Sequence, residues 1–153
     1  MAEQATVPAP GAVITVRYRD LDTLGHVNNA VYASYLEMGR VGFLRDVSAR
    51  LGWPTSGYEF GVNVPFVVVE LTIGFKSPAY LGETLDVAVR MPSAGRTSFA
   101  FEYEVRERES GRLVATGRSA QVMIDPATGS KAEVPQEFLD AVEAVQGAPV
   151  ERR

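Results

Sequence analysis

Between residues 20 and 32 the chain reads DLDTLGHVNNAVY, which crowds Asp20, Asp22, Gly25, the only histidine, His26, and the pair Asn28 and Asn29 into one short stretch. Carboxylates, an imidazole and amides at this density can bind a metal, cap a helix or carry out acid–base chemistry. The D-x-D-x-x-G opening resembles a calcium loop, but Leu24 and Val31 stand where that loop needs a polar ligand and a bidentate glutamate. Zinc would have to take His26 with carboxylates alone, without an H-E-x-x-H pair or any thiolate, so no metal is expected. A serine hydrolase lacks its G-x-S-x-G elbow. Capping by Asp22 or Asn28 is reasonable geometry. It does not explain so many polar groups beside a strongly apolar segment, where each costs a few kcal/mol unless paired. A carboxylate next to a helix N-terminus offers a base or nucleophile facing free N–H donors, an arrangement suited to a developing oxyanion.

The elements that must hold this stretch follow from pattern. Ile14, Val16 and Tyr18 alternate with polar residues as in a half-buried strand, and they lead directly into the motif. From Asn29 to about Leu51 no proline interrupts a segment rich in Ala, Leu, Met and Arg, which Gly52 and Pro54 close. Val31, Tyr35, Leu36, Met38, Phe43 and Val47 spread apolar groups around this predicted helix, so it is expected to be largely enclosed. Between Val62 and Ile124 the pattern turns to strand: VPFVVVELTIGF, an alternating run around Leu85–Met91, another at Phe99–Val105, and LVATGRSAQVMI. The joining turns are short, as between antiparallel neighbours. Gln136–Val145 predicts a final helix. The sum is α+β, an antiparallel sheet with one long helix against a single face. Residues 1–12 are expected to be disordered, 13–146 to form one domain, and 147–153 to be a flexible tail.

With 153 residues and no cysteine, the chain needs neither disulfides nor thiolate metal sites to support its core. A formal net charge of −4 argues against general nucleic-acid binding. No apolar run approaches the length of a membrane span, so a soluble cytoplasmic protein without membrane insertion is expected.

The residues also carry a family resemblance. Tyr18-x-Asp20-x-Asp22-x-x-Gly25-His26-Val27-Asn28-Asn29-x-x-Tyr32, followed by YLEMGR, FKSPAYLGETL and GRTSFAFEY, resembles the 4-hydroxybenzoyl-CoA thioesterase branch of the hotdog superfamily from about Ile14 to Asp125. The resemblance implies a sheet wrapped around a central helix and hydrolysis of acyl-CoA, without a cofactor, at the interface of a homodimer or homotetramer. Asp22 takes the place of the catalytic aspartate, as general base or nucleophile, and Asn29 that of the helix-start residue whose N–H polarises the thioester carbonyl. Tyr18 and His26 fall at supporting positions. HVNN departs from the hydroxybenzoyl enzymes and is similar instead to bacterial acyl-CoA and plant acyl-carrier-protein thioesterases, so the aryl substrate is not implied. Glu37 lies where another hotdog branch keeps a catalytic glutamate, but an ion pair with Arg40 at i,i+3 accounts for it better. Gly25, Asn28, Lys76, Arg96, Thr97 and Ser98 are the candidates for substrate contacts, and Phe43, Tyr58, Phe60, Phe66 and Tyr80 for the acyl pocket or the core. The alternatives are a noncatalytic acyl-thioester-binding hotdog and an acyl-carrier-protein thioesterase.

Overall fold

The computed structural model describes residues 10–57, 60 and 65–153. Strand β1 (Gly11–Thr15) is followed by a 3-10 turn (Tyr18–Asp20) and helix α1 (Val31–Arg50). Then come β2 (Phe66–Phe75), β3 (Thr84–Arg90), the short β4 (Ser93–Ala94), β5 (Ser98–Glu107), β6 (Leu113–Met123), α2 (Gln136–Gln146) and a short β7 (Glu151–Arg152). The long strands form one antiparallel sheet in the order β1-β3-β5-β6-β2, so among the described residues β2 has a neighbour on one side only.

Alternation decides which face meets the helix. Leu85, Val87 and Val89 of β3 and Phe99, Phe101, Tyr103 and Val105 of β5 are buried, and α1 packs on β1, β3 and β5. Close approach needs small residues at the contacts. A Cβ on Gly42 would overlap the carbonyl oxygen of Gly11, and a Cβ on Gly117 would meet Leu36 Cδ1 at 2.5 Å. These glycines let helix and sheet approach closely. Among the described residues no helix is long and apolar enough to cross a membrane.

Several expectations need correction. The helix begins at Val31 rather than Asn29, because Asn28 forms an Asx turn: its Oδ1 accepts Ala30 N–H at 3.0 Å and its carbonyl accepts Val31 N–H at 2.9 Å. The helix is enclosed on one side only. Tyr32, Tyr35, Leu36, Phe43 and Val47 are buried, while Glu37, Met38, Arg45 and Asp46 are exposed. The first strand stops at Thr15, and Tyr18 belongs to the following turn. The tail from 147 to 153 is docked: Val150 is buried, Glu151–Arg152 pair in parallel with Ser93–Ala94, and Arg152 reaches Glu143 at 3.2 Å. One apolar anchor and the ion pairs of Arg152 with Glu143 and Asp140 outweigh a composition that reads as disordered. At the other end residues 10–12 are placed, with Gly11 and Ala12 in β1 and Pro10 accepting Val89 N–H at 2.9 Å. Residues 1–9, with Tyr58, Val62 and Val64, lie outside the described residues.

Candidate active site

The opening stretch folds into a narrow loop closed by its own backbone. Leu21 and Val27 form an antiparallel bridge, with Asn28 N–H donating to the Asp20 carbonyl and Asp22 N–H to the His26 carbonyl, both at 2.9 Å. At the tip Gly25 N–H returns to the Asp22 carbonyl at 3.2 Å, and Leu24 N–H donates to Asp22 Oδ1 at 2.8 Å. Gly25 has φ +82°, a left-handed conformation that favours glycine. This turn folds Asp22 back onto His26, so that Nδ1 lies 3.4 Å from Asp22 Oδ2. Both side chains keep partial access to water, 27% for Asp22 and 30% for His26.

The other aspartate has a different setting. Asp20 is only 3% exposed and its carboxylate accepts Arg17 N–H at 3.0 Å, the Arg17 guanidinium at 3.2 Å and the Tyr35 hydroxyl at 2.8 Å. Burial alone would push its pKa up, but these bonds outweigh it and hold the carboxyl below its ordinary value. Burial and the adjacent carboxylate push the Tyr35 hydroxyl well above its ordinary range. Asp20 therefore ties the loop to α1, while Asp22 stays open.

At the helix entrance the N–H groups of Asn28, Ala30 and Val31 are all engaged, whereas that of Asn29 has no acceptor among the described residues. It is a free donor within the first turn's field. Behind this loop runs the segment from Ser77 to Glu83, which pairs His26 with Tyr80 and accepts Val27 N–H on the Ala79 carbonyl at 2.9 Å. Arg112 clamps this segment. It donates to Ser77 Oγ at 3.2 Å, the Pro78 carbonyl at 3.1 Å and Glu83 Oε1 at 2.8 Å, and the same Glu83 oxygen accepts Tyr80 N–H at 2.8 Å. No pattern along the chain points to the clamp of Arg112 or the tether at Tyr35, since each acts across a fold that spacing does not reveal.

The remaining candidates divide by position. Tyr18 is 82% exposed, and among the described residues its hydroxyl makes no hydrogen bond to Asp22 or His26. Lys76 is exposed just beyond β2, at the Asp22 end of the sheet. Arg96, Thr97 and Ser98 stand at the opposite end, where Arg96 pairs with Glu133 at 3.1 Å and the Thr97 carbonyl accepts Met123 N–H at 2.8 Å. Strand β5 separates them from the loop by roughly 30 Å at 3.3 Å per residue. Within one protomer they do not join Asp22.

Between α1 and the edge strand β2 the apolar side chains are incompletely covered, which leaves a shallow trough. Tyr32 contacts Phe75 edge-on at 5.5 Å at one end, and Arg40 lies 5.9 Å from the Phe66 ring at the other. Val68, Leu71 and Phe75 are on the helix-facing side of β2 yet remain 40%, 40% and 49% exposed. At the Arg40 end of α1 lies a cavity of about 500 Å³ bordered by Glu37, Arg40, Leu44, Phe60, Phe66 and Val68. Phe60 and Phe66 thus border it, Phe43 is core, and Tyr80 lies beside His26.

Comparison with known proteins agrees with this architecture. The model of the thioesterase-like superfamily matches residues 16–142, so the chain belongs to that superfamily, and its fold is the hotdog fold. It is 29% identical over 130 residues to the long-chain acyl-CoA thioesterase FadM of Escherichia coli, covering 85% of this chain and 94% of that one. It is 28% identical over 128 residues to the putative acyl-CoA thioesterase YneP of Bacillus subtilis, covering 83% and 88%. The crystal structure of a thioesterase from Thermus thermophilus, complexed with coenzyme A and Zn, superposes with a TM-score of 0.77 at 30% identity, covering 92% of this chain and 96% of that one.

Proposed function

We propose that this thioester hydrolase of the thioesterase-like superfamily cleaves acyl-CoA to free acid and CoA, and that it belongs to the HVNN-type group of the 4-hydroxybenzoyl-CoA thioesterase branch. The observation that supports the reading is the turn that brings the Asp22 carboxylate to 3.4 Å from His26 beside the unengaged Asn29 N–H. In the reaction we assign, Asp22 takes a proton from water while His26 orients the carboxylate. The water oxygen bonds to the thioester carbon, and the carbonyl oxygen, now an oxyanion, accepts the Asn29 N–H. Collapse breaks the C–S bond, and the CoA thiolate leaves and takes up a proton. The trough along α1 holds the acyl group, and Lys76 at the near end meets CoA phosphates. Soluble action in the cytoplasm is part of the same proposal.

The free edge of β2 bears on assembly. A ten-residue strand open along one edge, with Val67, Val68, Val69 and Leu71 exposed, invites pairing with another strand. Antiparallel pairing of β2 with its copy would roof both troughs. It would also bring the Arg96-Thr97-Ser98 end of one protomer next to the Asp22 end of its partner, which is how those residues would reach CoA. We therefore assign a homodimer, or a tetramer of two such dimers.

The test is Asp22→Asn assayed by thiol release from an acyl-CoA panel. The expected result is a fall in kcat of about 10²-fold or more, with the fold intact. Retention of more than about a tenth of wild-type kcat would refute the mechanism. Single turnover in heavy-oxygen water places label directly in the product acid if water attacks, and first in the Asp22 carboxylate if that carboxylate is the nucleophile. A wild-type protein that binds acyl-CoA and releases no thiol would instead be the noncatalytic binder. A higher kcat/KM on the matched acyl-carrier-protein thioester would make the carrier protein the donor.

A further inference from the structure

Beside the cavity at the Arg40 end of α1 lies a smaller one of about 250 Å³, and Pro65 and Ile124 border both. On the first side Arg40 turns to the Tyr103 hydroxyl at 3.2 Å, and among the described residues the expected Glu37–Arg40 ion pair does not form. The smaller cavity takes no part in the reaction assigned above. Its walls are rich in rings: Trp53, the only tryptophan of the chain, stands with Pro65, Pro126 and Pro135. Its charged side chains are two carboxylates, Asp125 and Glu133.

This lining selects among ligands by chemistry. Trp53 is half-buried and fixed just after α1, where its N–H donates to the Ser48 carbonyl at 2.8 Å. Carboxylates accept hydrogen bonds and give none. Asp125 commits one oxygen to Ala127 N–H at 2.8 Å, and its other oxygen has no partner among the described residues. The cations stand at the rim: Arg96 pairs with Glu133 at 3.1 Å, and Lys131 is exposed on the bridge that joins it to Ile124. An acyl chain would leave the carboxylates unused, and a phosphate inside would meet them as like charges. A purine base with an exocyclic amino group satisfies both features, because its ring stacks on the indole and its amino group donates to a carboxylate. Phosphates on its ribose then reach the cations at the rim.

Resting on the acyl-CoA reading above, we propose that this cavity takes the adenine of CoA, stacked on Trp53 with its amino group donating to Asp125, and that Lys131 joins Arg96 on the phosphates. Antiparallel pairing of β2 supplies the reach. Pro65 stands directly before β2 and its carbonyl accepts Ile124 N–H at 3.0 Å, so the cavity sits at the start of that strand. The pairing sets this start beside the end of the partner's β2, next to the Asp22 loop and Lys76 there. The nucleotide therefore binds on one protomer while the thioester is cleaved on the other. The only two lysines of the chain serve the same CoA from the two protomers.

Fluorescence of the single tryptophan reads the site directly. CoA and adenosine 3′,5′-bisphosphate are expected to quench it with saturation, and pantetheine, which lacks the base, to leave it unchanged. In steady-state assays the ratio of kcat/KM on dodecanoyl-CoA to that on dodecanoyl-pantetheine should fall about tenfold in Trp53→Leu and several-fold in Lys131→Ala. Quenching by pantetheine, no quenching at CoA concentrations that bind in calorimetry, or a ratio unchanged in either variant would overturn the inference. If Trp53→Leu does not fold, the wild-type quenching and Lys131→Ala decide. Saturable quenching by the bisphosphate without hydrolysis of either thioester leaves this site standing while the catalytic reading fails. Hydrolysis of both thioesters with the ratio unchanged removes this site and leaves the reaction, and no binding of CoA overturns both.

Discussion

Asp20→Asn tests the division between the two aspartates. The asparagine keeps one acceptor oxygen, which at the Oδ2 position can still take both the Tyr35 hydroxyl and Arg17 N–H, but its amide then stands at Oδ1 and faces the Arg17 guanidinium, a donor itself. Arg17 is largely exposed, so the lost ion pair counts for little. The loss comes from the charge assistance removed from the two bonds that Oδ2 accepts and from the mismatched donors at Oδ1, together about 2–3 kcal/mol. For a chain of this size that lowers Tm by roughly 5–10 °C. Folding holds the Asp20 carboxyl below its ordinary value, through the bonds from Arg17 and Tyr35. Its stabilisation is therefore present in full above the ordinary carboxylate value and is lost as pH falls through the folded value. Thermal unfolding of wild type and variant at pH 7 and at successively lower pH should show the gap closing below about pH 4. Meanwhile kcat at a permissive temperature should stay within about tenfold of wild type. A gap independent of pH, a Tm within about 1 °C of wild type at pH 7, or a loss of kcat matching Asp22→Asn would each refute the assignment of Asp20 to structure.

Other consequences are equally direct. Gly42→Ala sets a methyl against the Gly11 carbonyl and should lower stability by about 1–3 kcal/mol despite the better helix propensity of alanine, read by urea unfolding. Arg112→Ala frees the segment behind His26, so kcat should drop roughly tenfold with KM changed less than about threefold in steady-state assays; a larger change in KM would mean that Arg112 binds substrate instead. Lys76→Ala should raise KM for acyl-CoA several-fold, and the effect should shrink as salt screens the phosphates; a salt-independent KM would remove Lys76 from the CoA site.

Much of the fold was legible because its signals are local. Period-2 alternation marked β3 and β5, and the uninterrupted run after the motif marked α1 to within two residues at its start. Asn28 moved that start, because its side chain competes with the backbone for the first free N–H groups. The docked tail was not legible, since Val150 and Arg152 act only once β4 and α2 are in place. The opening motif stood out as a candidate site because polar groups were concentrated beside an apolar helix. That Asp22 rather than Asp20 faces His26 follows from a turn requiring Gly25, a feature visible in the sequence itself. The clamp of Arg112 on Glu83 joins residues far apart in sequence, and no local pattern could announce it.

Burial separates the neighbouring aspartates, and under the proposed mechanism it also divides their work. A carboxylate that must exchange protons with water cannot be saturated with fixed donors, because each such bond stabilises the anion and lowers its basicity. Asp20 accepts from Arg17 and Tyr35 and is closed off, which makes it a tether and a poor base. Asp22 commits one oxygen to Leu24 N–H and holds the other toward His26 with water still in reach. The bridge between Leu21 and Val27 turns this difference into a fixed geometry. Because Asp20 is anchored on Tyr35 of α1, the open carboxylate is held in register with the helix entrance where the Asn29 N–H stands free. Burial of the first aspartate thus sets the position of the second.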